Sequence, residues 1–195
     1  MQNDISPLFA HIRRFVALDP AEEQLLSDHF QCRTIPRKAF LLKQGEICHN
    51  YCFVLKGCLR MYLNTDKGVE QITHFGIENW WIADYMSLMQ SSPSDFNIQA
   101  VEESEIACID SQTLESVFVR IPKLERYFRI VTQRAYGASL MRIKYIYTFS
   151  GEERFRHFER SFPEFIQRVP QYMLASYLGF TPEFLSKIRS KKEAR

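Results

Sequence analysis

The most specific spacing of chemically useful residues lies near the end of the chain, where Gln171 to Ser190 reads Gln-Tyr-Met-Leu-Ala-Ser-Tyr-Leu-Gly-Phe-Thr-Pro-Glu-Phe-Leu-Ser-Lys-Ile-Arg-Ser. Laid on a twenty-position helix-turn-helix pattern, this stretch puts the small Ala175 at the fifth place and Gly179 at the ninth, with Leu174, Leu178, Phe180, Leu185 and Ile188 at the apolar places. Two helices that cross steeply need a small side chain where they touch, and the tight turn needs a residue tolerant of positive φ. Thr181 can cap the second helix, and Pro182 suits its first position, where an N–H would be unpaired anyway. With Leu185 and Ile188 turned inward, Thr181, Glu183, Ser186, Lys187 and Arg189 remain to make outside contacts. Their chemistry is that of a nucleic-acid reader. Thr181 and the helix N-terminus can hold a phosphate, Glu183 can accept from a cytosine amine, and Lys187 or Arg189 can reach guanine O6/N7 or a phosphate. Glu183 also suits a purely structural role, because an acid in the first helical turn stabilises the helix dipole. Lys191, Lys192 and Arg195 extend the basic run, either as phosphate contacts or as a solvated tail.

The elements that must carry these residues differ between the two halves. Composition is that of an ordinary globular chain, 46% hydrophobic and 25% charged over 195 residues, with a net charge of +2. That small total hides an asymmetry. Residues 1–119 carry 9 Lys+Arg against 16 Asp+Glu, a balance of −7, and residues 120–195 carry 16 against 7, a balance of +9. A basic half points to nucleic acid or a membrane surface. The longest uncharged stretch, Val169 to Pro182, is 14 residues, too short for a membrane helix, and Met1 to Phe15 lacks a signal-peptide core. The expectation is a cytoplasmic protein that does not engage a membrane.

The acidic half reads as short strands after a helical opening, in which Asp19-Pro20 leads into Ala21 to Phe30. Apolar segments at Ala39 to Leu42, Tyr51 to Leu55, Leu59 to Leu63, Val69 to Phe75, Phe96 to Val101 and Glu105 to Ile109 are separated by turn sequences such as Gln44-Gly45-Glu46, Lys56-Gly57 and Asp66-Lys67-Gly68. Strands of this length and spacing predict a sandwich, jelly roll or barrel. From Pro122 to about Phe149 the period changes. Leu124, Phe128, Val131, Ala135, Ala138, Arg142 and Tyr145 recur at alternating steps of four and three, which predicts a long helix with a coiled-coil-like seam. A second line, Tyr136, Leu140, Ile143 and Tyr147, runs beside it, so one face could cover the strands while the other meets a second subunit. Ser150 and Glu153 form the signature of a capping box that restarts a helix with Phe155, Phe158 and Phe162 on one stripe, closed by Pro163. A boundary is expected at Thr148 to Ser150.

A small β domain, one long helix and a C-terminal helix-turn-helix, in that order, resemble the cyclic-AMP receptor protein/FNR family of bacterial transcription regulators over nearly the whole chain. The marks are Gly45-Glu46, the run Phe53-Val54-Leu55-Lys56-Gly57-Cys58-Leu59-Arg60, the Asp66-Lys67-Gly68 hairpin and, most specific, Gln171 to Arg189. The resemblance implies an α+β fold: an N-terminal, cyclic-nucleotide-binding-like β-roll (a double-stranded β-helix or jelly roll) with its N-terminal helix over residues 1–121, a long dimerisation helix over 122–149, and a helix-turn-helix, winged-helix-like domain over 150–195. It also implies a homodimer on a pseudo-palindromic operator in double-stranded DNA. The dimer contact falls to Leu124, Phe128, Val131, Ala135 and Ala138. RNA polymerase is a candidate further partner.

The ligand site departs from the family pattern. Members that bind cyclic nucleotide use Gly-Glu for the ribose and Arg-Ser or Arg-Thr for the phosphate. Glu78 to Ser87 and Ser91 to Asn97 contain no Gly-Glu pair and no arginine, and counting back from Ile98-Gln99-Ala100-Val101 the family's arginine falls at Ser94 and its hydroxyl residue at Asp95. An aspartate facing a phosphate repels it, and a lost guanidinium removes the main charge-assisted contact. A response to cyclic AMP is therefore not expected. A true cyclic-nucleotide-responsive regulator, and a protein-interaction module without DNA binding, stand as the alternatives. Trp80, Trp81, Asp84 and Tyr85, with Met86 and Met89, would line an apolar pocket for an unknown small-molecule effector or else plug the old cavity as core.

The five cysteines, Cys32, Cys48, Cys52, Cys58 and Cys108, are expected to be buried free thiols rather than a disulfide framework or an iron–sulfur site. His11, His29, His49, His74 and His157 lack metal-ligand spacing, and with seven glycines there is neither a nucleophile elbow nor a phosphate-binding loop. No enzyme, no metal and no cofactor are expected.

Overall fold

The computed structural model describes residues 4–193, with side chains to Ser190. The chain divides into two compact units, one of residues up to Leu63 together with His74–Gln133, the other of Asn64–Thr73 and the chain from Arg134 onward.

The first unit begins with helices α1 (Ser6–Arg13) and α2 (Pro20–His29). Asp19 and Glu22 close a capping box at the start of α2, with Pro20 at its first position. Eight strands follow: β1 (Gln31–Ile35), β2 (Phe40–Leu42), β3 (Asn50–Lys56), β4 (Cys58–Asn64), β5 (Glu70–Ile77), β6 (Trp81–Ile82), β7 (Asn97–Ala100) and β8 (Ser104–Asp110). A short helix, α3 (Tyr85–Gln90), separates β6 from β7, and α4 (Ser111–Arg120) leads into the long α5 (Lys123–Thr148). The strands make two four-stranded sheets, in the orders β1-β8-β3-β6 and β2-β7-β4-β5.

Successive side chains of β3 and β8 point to opposite sides of their sheet, and each side has its own core. Cys52, Val54, Ile106 and Cys108 join Leu42, Leu59, Ile82, Ile98 and Ala100 in one cluster, drawn from both sheets. Phe53, Leu55, Ala107 and Ile109 meet α1, α2, α4 and the start of α5 in the other, through Leu8, Ile12, Leu26, Leu114, Val117, Leu124 and Tyr127. Leu59 to Leu63 departs from the simple alternation of buried and exposed positions. Arg60 is buried too, its guanidinium stacked over the Tyr62 ring at 4.3 Å and donating to Gln99 Oε1, so the strand is covered on both faces.

The cysteines correct the expectation of free thiols. Cys52 and Cys108 form a disulfide, while Cys32, Cys48 and Cys58 are free. The reason is register: β3 and β8 pair antiparallel with Cys52 directly opposite Cys108, at a Cα–Cα distance of 4.1 Å, which brings two side chains on one face together.

The second unit holds the tip of the β4–β5 hairpin, the later turns of α5, and α6 (Gly151–Ser161), α7 (Pro163–Arg168), α8 (Gln171–Leu178) and α9 (Pro182–Glu193). Ser150 and Glu153 close their capping box, and hydrogen bonds from the Ser150 hydroxyl and backbone hold the Glu153 carboxyl below its ordinary range. Pro163 does more than end α6. It occupies the first position of α7, where its fixed φ is preorganised for a helix. Among the described residues every element after β8 is a helix.

Candidate nucleic-acid interface

The turn between α8 and α9 is built by residues whose roles follow from their size. Ala175 is fully buried where the two helices meet. Gly179 takes φ +76°, and with it the Phe180 N–H reaches the Ala175 carbonyl at 2.8 Å and the Gly179 N–H the Ser176 carbonyl at 3.1 Å. A left-handed residue at this place costs a β-carbon-bearing side chain energy that glycine does not incur. Leu174, Leu178, Leu185 and Ile188 are buried and Phe180 is half-buried, so the apolar places of the pattern form the core between the helices.

Two residues outside the pattern hold this turn in place. Arg154 of α6 donates to the Leu178 carbonyl at 2.8 Å and lies over the Phe180 ring at 5.1 Å. Gly151, the first residue of α6, lets the Phe184 ring of α9 come so close that a Cβ there would sit 2.6 Å from it. The hairpin tip adds a third support. Ser176 Oγ donates to the Glu70 carbonyl at 2.8 Å and accepts from the Ile72 N–H at 2.9 Å. Arg142 stacks over Tyr177 at 4.2 Å and donates to the carbonyls of Tyr177 and Thr73. Burial pulls its guanidinium below its ordinary pKa.

At the start of α9, Thr181 is the cap. Its hydroxyl accepts from the Phe184 N–H at 3.3 Å, and its carbonyl accepts the first helical bond, from Leu185. The Glu183 carboxyl is held below the usual carboxylate range by a hydrogen bond from its own backbone N–H and by one from the Thr181 hydroxyl. Glu183 thus stabilises the helix start whatever else it contacts. Glu183, Ser186, Lys187 and Ser190 are all exposed, and their spacing of three, four and seven puts them on one face of α9. Arg189 is half-buried on the flank of this row. Phe184, 43% exposed, and Tyr172 of α8, 52% exposed, add aromatic surface that the pattern did not single out. Arg195 lies outside the described residues, as do the side chains of Lys191 and Lys192.

The seam residues of α5 have mixed surroundings. Leu124 is buried in the first unit's helical core, and Phe128 and Val131 pack against that core. Ala135 and Ala138 are exposed. Tyr145 stacks on Phe149 with ring centroids 4.8 Å apart. The parallel line is open: Tyr136, Leu140, Ile143 and Tyr147 are all exposed, Tyr147 to 84%.

The four residues considered for an effector pocket have different surroundings. Trp80 faces out and stacks on His74 at 5.7 Å. Trp81 turns into the helical core, where its Nε1–H donates to Tyr127 Oη at 2.8 Å and its ring meets Phe128 at 4.8 Å. Burial pushes the Tyr127 hydroxyl well above its ordinary pKa. Tyr85 is partly exposed beside Tyr51. Asp84, buried, caps α3 by accepting from the N–H groups of Met86 and Ser87, and its other oxygen accepts from Ser94 Oγ at 2.6 Å. Ser94 is therefore bonded to an acid of the same chain.

Residues 32–120 match the family model described as a cyclic nucleotide-binding domain. The chain is 23% identical over 167 residues to the transcriptional activator protein Anr of Pseudomonas protegens, covering 80% of this chain and 68% of that one. Among solved structures it is similar to FixK2 of Bradyrhizobium japonicum, with a TM-score of 0.73, 14% identity and 85% of each chain covered. It is also similar to the global regulator CLP of Xanthomonas campestris, described as c-di-GMP responsive, with a TM-score of 0.73, 14% identity and 90% of this chain and 92% of that chain covered.

Proposed function

From a chain that carries a cyclic nucleotide-binding domain and is homologous to transcription regulators of the cyclic-AMP receptor protein/FNR family, we propose a DNA-binding regulator that acts as a homodimer on a pseudo-palindromic operator and does not respond to cyclic AMP. The observation that carries the DNA contact is the exposed row Glu183, Ser186 and Lys187, flanked by Arg189, on a helix whose start is capped and whose opposite face is buried. Lys187 and Arg189 supply charge for phosphate or guanine, Ser186 a donor and acceptor, and Thr181 a hydroxyl beside the helix N-terminus. Operator binding then weakens steeply with salt, because each neutralised phosphate releases a counterion.

The dimer contact on this reading includes Ala135 and Ala138 together with the exposed line Tyr136, Leu140, Ile143 and Tyr147. Leu124, Phe128 and Val131 already serve the protomer's own core. Leu140→Asp with Ile143→Asp is expected to give monomers in sedimentation; an unchanged dimer mass would remove α5 as the contact. Loss of the cyclic-AMP response is supported by the bond between Asp84 and Ser94, which leaves a buried carboxylate and no guanidinium where the family's cassette meets its phosphate.

The match of residues 32–120 to cyclic nucleotide-binding domains favours a second reading, a true cyclic-nucleotide-responsive regulator. Thermal melting with and without millimolar cyclic AMP and cyclic GMP separates the two. No shift is expected, and a saturable rise would establish the second reading, since a ligand bound only by the folded state must stabilise it.

A further inference from the structure

The cluster fed by both sheets contains an unusual concentration of sulfur. Cys48, Cys52 and Cys108, three of the five cysteines, are all buried in it. The Cys52–Cys108 bridge joins β3 to β8, the two central strands of their sheet. Both of its cysteines are buried, Cys52 being 2% exposed, but Cys52 borders a cleft. A cleft of about 120 Å³ is lined by Cys48 and Cys52, with Leu42, Ile82 and Ile98 at its apolar wall, and includes the exposed Arg33, Glu46, Ile47 and His49. Cys108 does not line it, so of the two bridge residues Cys52 is the one that borders the cleft.

We propose that the Cys52–Cys108 pair is a redox-modification site, opened and closed by exchange with a low-molecular-weight thiol/disulfide couple that enters through this cleft. An external thiolate forms a bond to Cys52 Sγ. The Cys52–Cys108 bond breaks with its electron pair going to Cys108 Sγ, which takes up the proton the incoming thiol lost. A second external thiolate attacks the external sulfur of the mixed disulfide and releases Cys52, which is protonated in turn. Two external thiols are thereby oxidised to one disulfide, and the protein pair is reduced by two electrons; the reverse sequence closes the bridge. Cys48, on the same cleft, does not supply the attacking sulfur, because burial raises its thiol above the ordinary value and keeps it protonated at neutral pH.

The test equilibrates the folded, full-length protein in buffers of graded reduced to oxidised glutathione, traps thiols with an alkylating agent and maps labels by peptide mass. The expected result is a pair of labels gained together on Cys52 and Cys108 in one two-electron step, while circular dichroism stays native. Ile47→Trp, at the exposed side of the cleft, should slow the step by about ten-fold or more without moving its midpoint, since access governs exchange rate and not equilibrium. The Cys52→Ala, Cys108→Ala double variant should lose the step and retain labelling of Cys32. Labels at both positions at every glutathione ratio would overturn the proposal, as would labelling that appears only at the rate of global unfolding in urea. A rate untouched by Ile47→Trp would overturn the cleft as its route.

Discussion

Two regions rich in polar residues show opposite ways of using them. In the loop between β6 and β7, Asp84, Ser87 and Ser94 are buried and bonded to one another or to nearby backbone: Asp84 to Ser94 and the start of α3, Ser87 to the Ser92 carbonyl and the Cys48 N–H. On α9, Ser186 and Lys187 stand in solvent, and only the helix start, with the exposed Glu183, is internally bonded. A buried polar group without a partner costs free energy, so the polar groups of this loop must satisfy one another. An exposed row already has water as its partner and can exchange it for phosphate or base edges. The difference teaches that polar composition alone does not mark a binding surface; what matters is whether the groups are already spent on the protein itself.

The contrast can be broken most severely by removing what holds α9. Leu185→Ala, in the fully buried crossing of the helices, should cost about 2–5 kcal/mol of stability and abolish operator binding, read by thermal melting and by anisotropy of labelled duplex. Lys187→Ala should leave melting unchanged and lower operator affinity. If Lys187 reads a guanine the loss is about 1–3 kcal/mol at one base position, and if it meets a phosphate the loss is uniform across sequences and the salt slope falls by about one. In the cassette the outcome should reverse. Ser94→Ala removes a hydrogen bond to a buried carboxylate, expected to cost about 1.5–3 kcal/mol in melting while operator affinity at a temperature well below the transition stays the same. A drop in affinity larger than the drop in stability would show that the cassette is not self-contained.

The smallest expected effect concerns Glu183. Because its carboxyl is held below the usual range in the fold, the charge contributes to the helix start above the unfolded value and that contribution is lost as pH falls through the folded one. Glu183→Gln should therefore flatten a slight acid-side decline in melting temperature. If Glu183 only caps, the selected operator sequence stays the same; if it accepts from a cytosine amine, the preference at one base pair relaxes.

Much of this was legible where the pattern is local. Ala175, Gly179 and the five apolar places act within one turn, so their spacing alone carries the geometry, and the capping box at Ser150 is likewise read within four residues. Strands β2 to β5, β7 and β8 followed from apolar segments and turn residues. The edge strands β1 and β6 and the short helices α3 and α4 were not legible, since Gln31–Ile35 is largely exposed and two to ten residues leave little periodicity. The disulfide was missed for a different reason. Cys52 and Cys108 are 56 residues apart, and only the pairing register of β3 and β8 brings them together. On α5, periodicity located two apolar lines but not what each one faces. Leu124 and Phe128 are apolar because their own protomer covers them, and Arg142 interrupts that line because Thr73 and Tyr177 supply carbonyls for it. Gly151 and Arg154, which hold the turn, lie outside the twenty-residue pattern.

The most direct measurement is selection of bound sequences from a random duplex pool by the full-length protein, with and without cyclic AMP. Two inverted half-sites should emerge, spaced by about one helical turn of DNA or a multiple of it, identical in the two conditions and weakened at the base contacted by Lys187 when that residue is alanine. A pool that shows no enrichment, or an enrichment that appears only with cyclic AMP, would contradict this.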